Sequence, residues 1–268
     1  MQKTILITGS TDGIGLATAK LLASQGHTVL LHGRNAAKLA DAERSISALP
    51  QSSTVDTFVA DLSHMSDVSG LADAVAGAHA GIDVLINNAG ILRTSSAETP
   101  DGLDIRFAVN TIAPYLLTQK LLPLIRPGGR VVNVSSAAQS PVDVQALAAR
   151  AGQSDMEAYA QSKLALTMWS RHLAQANREG PVIVAVNPGS MLGSKMVQQG
   201  FGVTGGDIQI GADILARAAL SDEFSDASGL YFDNDSGRFA PPHPDALDDR
   251  KCLEVVSAIE RVLSESTR

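Results

Sequence analysis

Short, almost continuously apolar runs rich in β-branched residues recur along the chain, separated by longer stretches whose apolar positions return at helical spacing. The runs are TILIT (residues 4–8), TVLLH (28–32), VDTFVA (55–60), IDVLIN (82–87), RVVNVS (130–135) and VIVAVN (182–187). Between them lie stretches such as IGLATAKLLASQ (14–25) and EAYAQSKLALTMWSRHLAQA (157–176). A strand without a polar face is buried on both sides, and a helix between two such strands implies a right-handed crossover. The pattern therefore predicts an α/β fold, a doubly wound parallel sheet with helices on both faces. No linker, low-complexity tract or internal repeat interrupts it as far as VIVAVN, so residues 1–268 read as a single domain. Beyond Pro188 the texture changes. QQGFGVTGGD (198–207) is glycine-rich and YFDNDSGRFAPPHPDA (231–246) reads as loop. Leu253, Val256, Ile259, Val262 and Leu263 then predict a last helix over about 248–263.

A hydrophobic share of 44% supplies a large core. The formal net charge of -7, with no run of Lys or Arg, repels nucleic acid and acidic membrane surfaces. Cys252 is the single cysteine, which excludes an internal disulfide and a multi-thiolate zinc site and suits a reducing compartment. The apolar run in MQKTILITGS is too short for a signal peptide, and no segment offers ~18 uninterrupted apolar residues for a membrane span. The expectation is a soluble, cytoplasmic protein with neither nucleic-acid nor membrane partners, and with homo-oligomerisation left open. The six histidines lack ligand spacing; His32, His64 and His172 read as strand-end or surface residues, and no metal is expected.

Two stretches carry chemistry. TGSTDGIG follows the first apolar run and opens the first helical stretch, with Gly9, Gly13 and Gly15 at the turn. Glycines there let the backbone turn tightly and approach a pyrophosphate, while the free N–H groups of the helix N-terminus hold its charge. A tight strand-to-helix turn without a ligand is the alternative. In MEAYAQSKLAL (156–166), Tyr159 and Lys163 stand four residues apart on one helix face, with Cβ atoms about 6 Å from each other. Alone, the pair describes a packed helix with a snorkelling lysine. A free tyrosine has a pKa near 10, however, and a nearby ammonium favours its phenolate, so the pair can also be a tuned proton shuttle.

TGSTDGIG resembles the TGxxxGxG signature of the short-chain dehydrogenase/reductase family, and that family's other motifs follow in order. They are ADL with Asp61, NNAG (87–90), VN with Asn110, NVSS with Ser136, YxxxK with Tyr159 and Lys163, and NPG (187–189). The likeness spans essentially the whole chain, since GLYFDNDSGRFAPPHPDA (229–246) is similar to the tails of retinol-dehydrogenase-like members. It implies one Rossmann-type dinucleotide-binding and catalytic domain, an NAD(P)-dependent oxidoreductase and a small-molecule carbonyl or alcohol substrate. By this resemblance Tyr159 is the general acid in carbonyl reduction and the general base in alcohol oxidation. Lys163 also holds the nicotinamide ribose, Ser136 hydrogen-bonds the reacting oxygen and Asn110 positions a relay water. The cofactor set is Gly9, Thr11, Gly13, Ile14 and Gly15 at the first turn, with Asp61 and Leu62 after the third strand and Asp61 accepting from the adenine. It continues with Asn88, Ala89 and Gly90 flanking the cofactor, and with Pro188 and Gly189 over the nicotinamide. Asn87 is assigned instead to tying strands together. Taken singly, Ser136 is a strand-end serine and Asn110 or Asp61 a helix cap.

At the end of the second strand, Gly33 occupies the position where NAD-selective members place an acid, and Arg34 follows it. A guanidinium there can make charge-assisted bonds to a 2′-phosphate, so NADP is expected over NAD, the alternative being a solvated Arg34 and use of both. Asp12 argues the other way, because many NADP-preferring relatives carry a basic residue at its position. Residues 139–157 contain an insertion relative to the commonest members, either a substrate wall or a surface excursion. Residues 190–206 are expected to form the substrate lid, with Ser194 a candidate for the cofactor's carboxamide and 229–268 a C-terminal tail. The apolar and small residues of the lid lean toward an apolar or mixed substrate. A non-catalytic dinucleotide sensor remains the competing reading, and the full Asn110, Ser136, Tyr159 and Lys163 set weighs against it.

Overall fold

In the computed structural model, residues 1–51, 54–148 and 152–266 are described. The apolar runs form strands β1 (Thr4–Ile7), β2 (Thr28–Gly33), β3 (Val55–Val59), β4 (Ile82–Asn87), β5 (Ile125–Val134) and β6 (Val182–Asn187). The helices are α1 (Gly13–Ser24), α2 (Ala36–Ser47), α3 (Met65–Ala78), α4 (Ile105–Phe107), α5 (Ala113–Leu121), α6 (Val144–Leu147), α7 (Asp155–Ala176), α8 (Lys195–Phe201), α9 (Gln209–Leu220) and α10 (Asp249–Ser266). A π-helical turn, Ala108–Ile112, joins α4 to α5.

Alternation along each strand divides the core in two. Ile5, Ile7, Val29, Leu31, Val132 and Val184 face α1, α2 and α9. Leu6, Leu30, Leu85, Val131 and Ile183 face the opposite way, toward α3, α5, α7 and α10. Both strand faces are thus apolar because both are covered, which is why the runs show no polar period.

The sheet order is β3-β2-β1-β4-β5-β6-β7-β8, with all pairs parallel except the last. β7 (Tyr231–Asp233) and β8 (Arg238–Phe239) correct the reading of 231–246 as loop. Three and two residues are too few to show a period. Long-range packing supplies what periodicity could not: Phe232 is fully buried, with ring centroids 5.1 Å from both Phe224 and Phe239. β5 also starts earlier than RVVNVS, because Ile125 pairs with Ile82 before a register shift around the Pro127–Gly129 stretch returns Arg130 to Val84.

The insertion is packed onto the protein over residues 142–147, and Met156 near its end lines a cleft; residues 149–151 of it lie outside the described residues. Leu147 on α6 is fully buried in the core cluster that contains α10, and Val142 and Val144 pack against the same cluster. The Asp143 amide donates to Gln161 Oε1 on α7 at 2.9 Å. Strand order reverses between β1 and β4, and a crevice opens at the carboxyl ends of such strands.

Candidate active site

A cleft of about 610 Å³ occupies that crevice, within the range of small-molecule sites. It is lined by Gly9, Thr11, Gly13, Ile14, Gly15, Arg34, Asp61, Leu62, Asn88, Ala89, Gly90, Ser136, Tyr159, Lys163, Pro188 and Gly189. Every expected site residue except Asn110 therefore faces one cavity. Gly9 (φ +65°) and Gly13 (φ +56°) hold left-handed conformations, and a Cβ on Gly9 would come 2.9 Å from Ala89 Cα. Side chains are excluded there by both conformation and space. Thr8 ties the turn to the NNAG segment by accepting from the Asn88 and Ala89 amides at 3.0 and 3.1 Å. Asn87 joins strands as expected, donating to Asn133 Oδ1 at 2.8 Å and to Thr118 Oγ1 at 3.0 Å.

His32 is more than a strand-end residue. Its buried ring accepts from the Gly9 amide at Nδ1 (3.1 Å), which leaves Nε2–H to donate to the Ala60 carbonyl (3.1 Å). Burial pushes its pKa down to about 4, so it stays neutral and keeps this tautomer. Only the tertiary arrangement reveals this role, since a histidine ending a strand carries no local signal. Beside it, a Cβ on Gly33 would lie 2.5 Å from Thr11 Cγ2, so any side chain at that position would require Thr11 to shift. Arg34 and Lys38 both line the cleft and are exposed; Lys38 is a second cation that the motif reading did not select. Asp61 accepts from the Ser63 amide and hydroxyl at 3.0 and 2.8 Å. Burial acts to raise its pKa, but those bonds and the charge of Arg34 outweigh it, so the carboxyl lies below its ordinary value.

The chemical end is built on α7 and the π-helical turn. Lys163 is buried, donates from Nζ to the Val134 carbonyl at 2.7 Å and lies 5.8 Å from the Tyr159 ring centroid. The Ser136 side chain lies near Tyr159 and favours its phenolate, while Ser136 Oγ accepts from the Ala138 amide at 3.1 Å. A Cβ at Gly90 would sit 3.3 Å from Lys163 Nζ and 3.4 Å from Asn110 Oδ1, so a glycine admits both groups to one point. Asn110 is fully buried behind the cleft wall: Oδ1 accepts from the Ile91 amide (2.8 Å), and Nδ2 donates to the Ile91 carbonyl and Ser162 Oγ (2.9 Å each). Its place in a π-helical turn fits the frequent use of such turns at functional sites. The electrostatic balance differs from the simple pairing of ammonium and phenol. Burial raises the Tyr159 pKa, which Ser136 only partly opposes, and burial lowers Lys163 to about 8.

The expected lid closes one side of the cleft. Leu192 and Gly206 form an isolated bridge at its base, and α8 between them presents Met196, Val197 and Phe201. Ser194 caps α8, accepting from the Val197 amide at 3.3 Å, and Gly202 ends it at φ +71°. The Ser194 hydroxyl is therefore engaged in capping. Lys195 on α8 pairs with Asp12, whose carboxylate also caps α1 at the Gly13 amide (2.8 Å). Asp12 is thus neutralised locally. Met156, at the start of α7, also lines the cleft. Among the described residues, no cluster of three or more His, Cys, Asp or Glu is placed to hold a metal, and no helix is long and apolar enough to cross a membrane.

Comparison with known proteins matches residues 3–201 to the short chain dehydrogenase family. Human retinol dehydrogenase 13 is 28% identical over 267 residues, covering 92% of this chain and 80% of that protein. Among solved structures, an uncharacterised Mycobacterium paratuberculosis protein superposes with a TM-score of 0.80 at 28% identity, covering 97% of this chain and 93% of the other. A short chain dehydrogenase from Burkholderia cenocepacia in complex with NADP superposes with a TM-score of 0.69 at 27% identity, covering 87% and 95%.

Proposed function

Since the chain belongs to the short-chain dehydrogenase family, in its retinol-dehydrogenase-like branch, and is an NAD(P)-dependent oxidoreductase that binds NADP, we propose that Tyr159, Lys163, Ser136 and Asn110 are its catalytic set. The substrate is a small carbonyl compound or alcohol of apolar or mixed character. The observation that supports this reading is that Tyr159, Ser136 and Lys163 line the same cleft as the glycine turn, with Lys163 Nζ 5.8 Å from the Tyr159 ring centroid.

The residues present fit a dinucleotide. At the turn the Gly9, Ser10 and Gly13 amides are engaged within the protein, which leaves the Ile14 and Gly15 amides at the start of α1 for a pyrophosphate; Arg34 and Lys38 offer cations to a 2′-phosphate, and Asn88–Gly90 with Pro188 and Gly189 flank the remaining length. When bound, the nicotinamide supplies or accepts the hydride. In reduction Tyr159 Oη gives its proton to the carbonyl oxygen while Ser136 Oγ donates a hydrogen bond to the same atom. Lys163, when charged, stabilises the phenolate that remains. In oxidation Tyr159 takes the proton from the alcohol, and its raised pKa makes it the stronger base once ionised. Asn110 fixes the Ile91 main chain and positions a relay water. Leu192, Met196, Val197 and Phe201 form the apolar side, and methionine adapts to irregular apolar shapes.

The reading takes residues 1–268 as one catalytic domain with its lid over 190–206, and it places the protein in the cytoplasm, as its single cysteine allows. Aldehydes, ketones and alcohols are screened while reduced-nicotinamide absorbance is followed. Turnover of at least one apolar carbonyl or alcohol is expected. Binding of NADPH without turnover of any class would return the protein to the sensor reading.

A further inference from the structure

The segment that follows the family match grips the reactive end of the cleft from outside. β7 pairs with β6 through Asn187 and Asp233, so the turn after β7 lies against Asn187, Pro188, Gly189 and Ser190. Those four residues all line the cleft. Their backbone is unusual: Gly189 has φ +121°, and Met191, which is not a glycine, has φ +55°. A non-glycine residue in that region is disfavoured and persists only where its surroundings hold it.

Met191 is held by the Gly206 amide, which donates to its carbonyl at 2.8 Å, and the turn after β7 holds residues 187–190 before it. Asp235 accepts from the Ser190 amide at 2.8 Å, the Ser190 hydroxyl at 2.5 Å and Asn187 Nδ2 at 2.9 Å. Asp233 accepts from the same Nδ2 at 2.8 Å, and Asn234 donates from Nδ2 to the Pro188 carbonyl at 2.9 Å. Burial works to raise the Asp235 pKa, but the Ser190 and Asn187 bonds outweigh it, so the carboxylate is ionised at neutral pH. On β7, Tyr231 Oη donates to the main-chain carbonyl of Ser136 at 3.1 Å.

We propose that Asp235 and Tyr231 are positioning residues for hydride transfer, Asp235 setting the 187–190 turn at the nicotinamide and Tyr231 setting Ser136 at the reacting oxygen. The family match ends at residue 201, so the tail completes a site whose chemical groups all precede it. This inference rests on the oxidoreductase reading above.

The test uses the full chain with Asp235→Ala, Asp235→Asn and Tyr231→Phe. Dissociation constants are measured for NADPH and for adenosine 2′,5′-bisphosphate, which lacks the nicotinamide. Asp235→Ala removes a charged acceptor of three hydrogen bonds and is expected to weaken NADPH about tenfold while leaving the bisphosphate at the parental value. Asp235→Asn, which keeps one acceptor oxygen, falls between. Tyr231→Phe is expected to lower kcat severalfold for the carbonyl reduced fastest in the screen, with the NADPH constant unchanged. Equal weakening of both ligands would make Asp235 a general structural residue, and parental NADPH affinity and kcat in all three variants would also overturn the inference. Should Asp235→Ala fail to fold, Asn234→Ala decides: it removes the bond to the Pro188 carbonyl and is expected to weaken NADPH about threefold, parental affinity counting against the inference. A parent protein that binds neither ligand would instead sink the oxidoreductase reading itself.

Discussion

At the scale of single residues, the site turns on one phenol and one ammonium whose tendencies burial opposes. Tyr159→Phe keeps the ring and the packing but removes the transferable proton, so cofactor affinity should persist while turnover falls by about 10²-fold or more. Parental turnover in steady-state assays would dismiss Tyr159 as the acid. Lys163→Met should lower both turnover and cofactor affinity, since its Nζ is placed beside both Tyr159 and Gly90. The lysine also sets a pH dependence. Its pKa lies at about 8, below the ordinary value, so the ammonium is charged below that pH and neutral above it. Carbonyl reduction should therefore be flat through neutral pH and decline as pH rises through about 8, and a profile level to pH 10 would contradict that placement. Cofactor choice belongs to this scale too. Arg34 faces no acid at Gly33, although Asp61 lies within its electrostatic reach. Arg34→Ala should reduce the NADP preference in kcat/KM about tenfold without abolishing it, because Lys38 lines the same cleft. Equal use of NAD and NADP by the parent, or an unchanged preference in the variant, would remove Arg34 as the selector.

At the scale of elements, the proposed lid is anchored at its ends by Asp235 and by the Leu192–Gly206 bridge, whereas the polar ties of α8 between them lie on the surface. The Lys195–Asp12 pair joins α8 to the N-terminus of α1, but its side chains are 63% and 49% exposed, and exposed pairs contribute only about 0–1 kcal/mol. The Arg93 bond to the Gln199 carbonyl, at 3.2 Å, is also on the surface. Hydrogen exchange over 190–206 should be fast in the free protein and slow on saturation with NADPH and a substrate analogue, because a closing lid needs low local stability. Exchange that does not respond to saturation would count against closure. Slowing is expected at α8 more than over 139–148, where α6 is already packed. The helix in the lid escaped the periodicity reading because it has only seven residues, yet its ends were written locally: Ser194 as a cap and Gly202 as a left-handed stop.

At the scale of the whole molecule, the insertion and tail act as a brace on the α7 side of the sheet. Leu147→Ala should cost about 2–5 kcal/mol of stability, as large-to-small changes in a packed core do, while leaving KM for the best carbonyl near the parental value. Denaturant unfolding with parallel kinetics separates the outcomes, since a raised KM with unchanged stability would extend the substrate wall from Met156 to this part of the insertion. How much was legible follows from how far apart the cooperating residues lie. Whereas the reversal between β1 and β4 appears only in the strand pairing, the strands β1 to β6, the glycine turn and the identities of Asn110, Ser136, Tyr159 and Lys163 are recorded in neighbouring residues, as apolar period and motif spacing. The strands β7 and β8 are not, because their support comes from Phe224 and Phe239 rather than from a period of their own. Nor is the tail's grip, which joins Ser190 to Asp235 across 45 positions. The charge balance at the catalytic pair was likewise beyond the sequence: spacing places an ammonium near a phenol, but burial, which exists only once α7 packs against the sheet, decides which way each pKa moves.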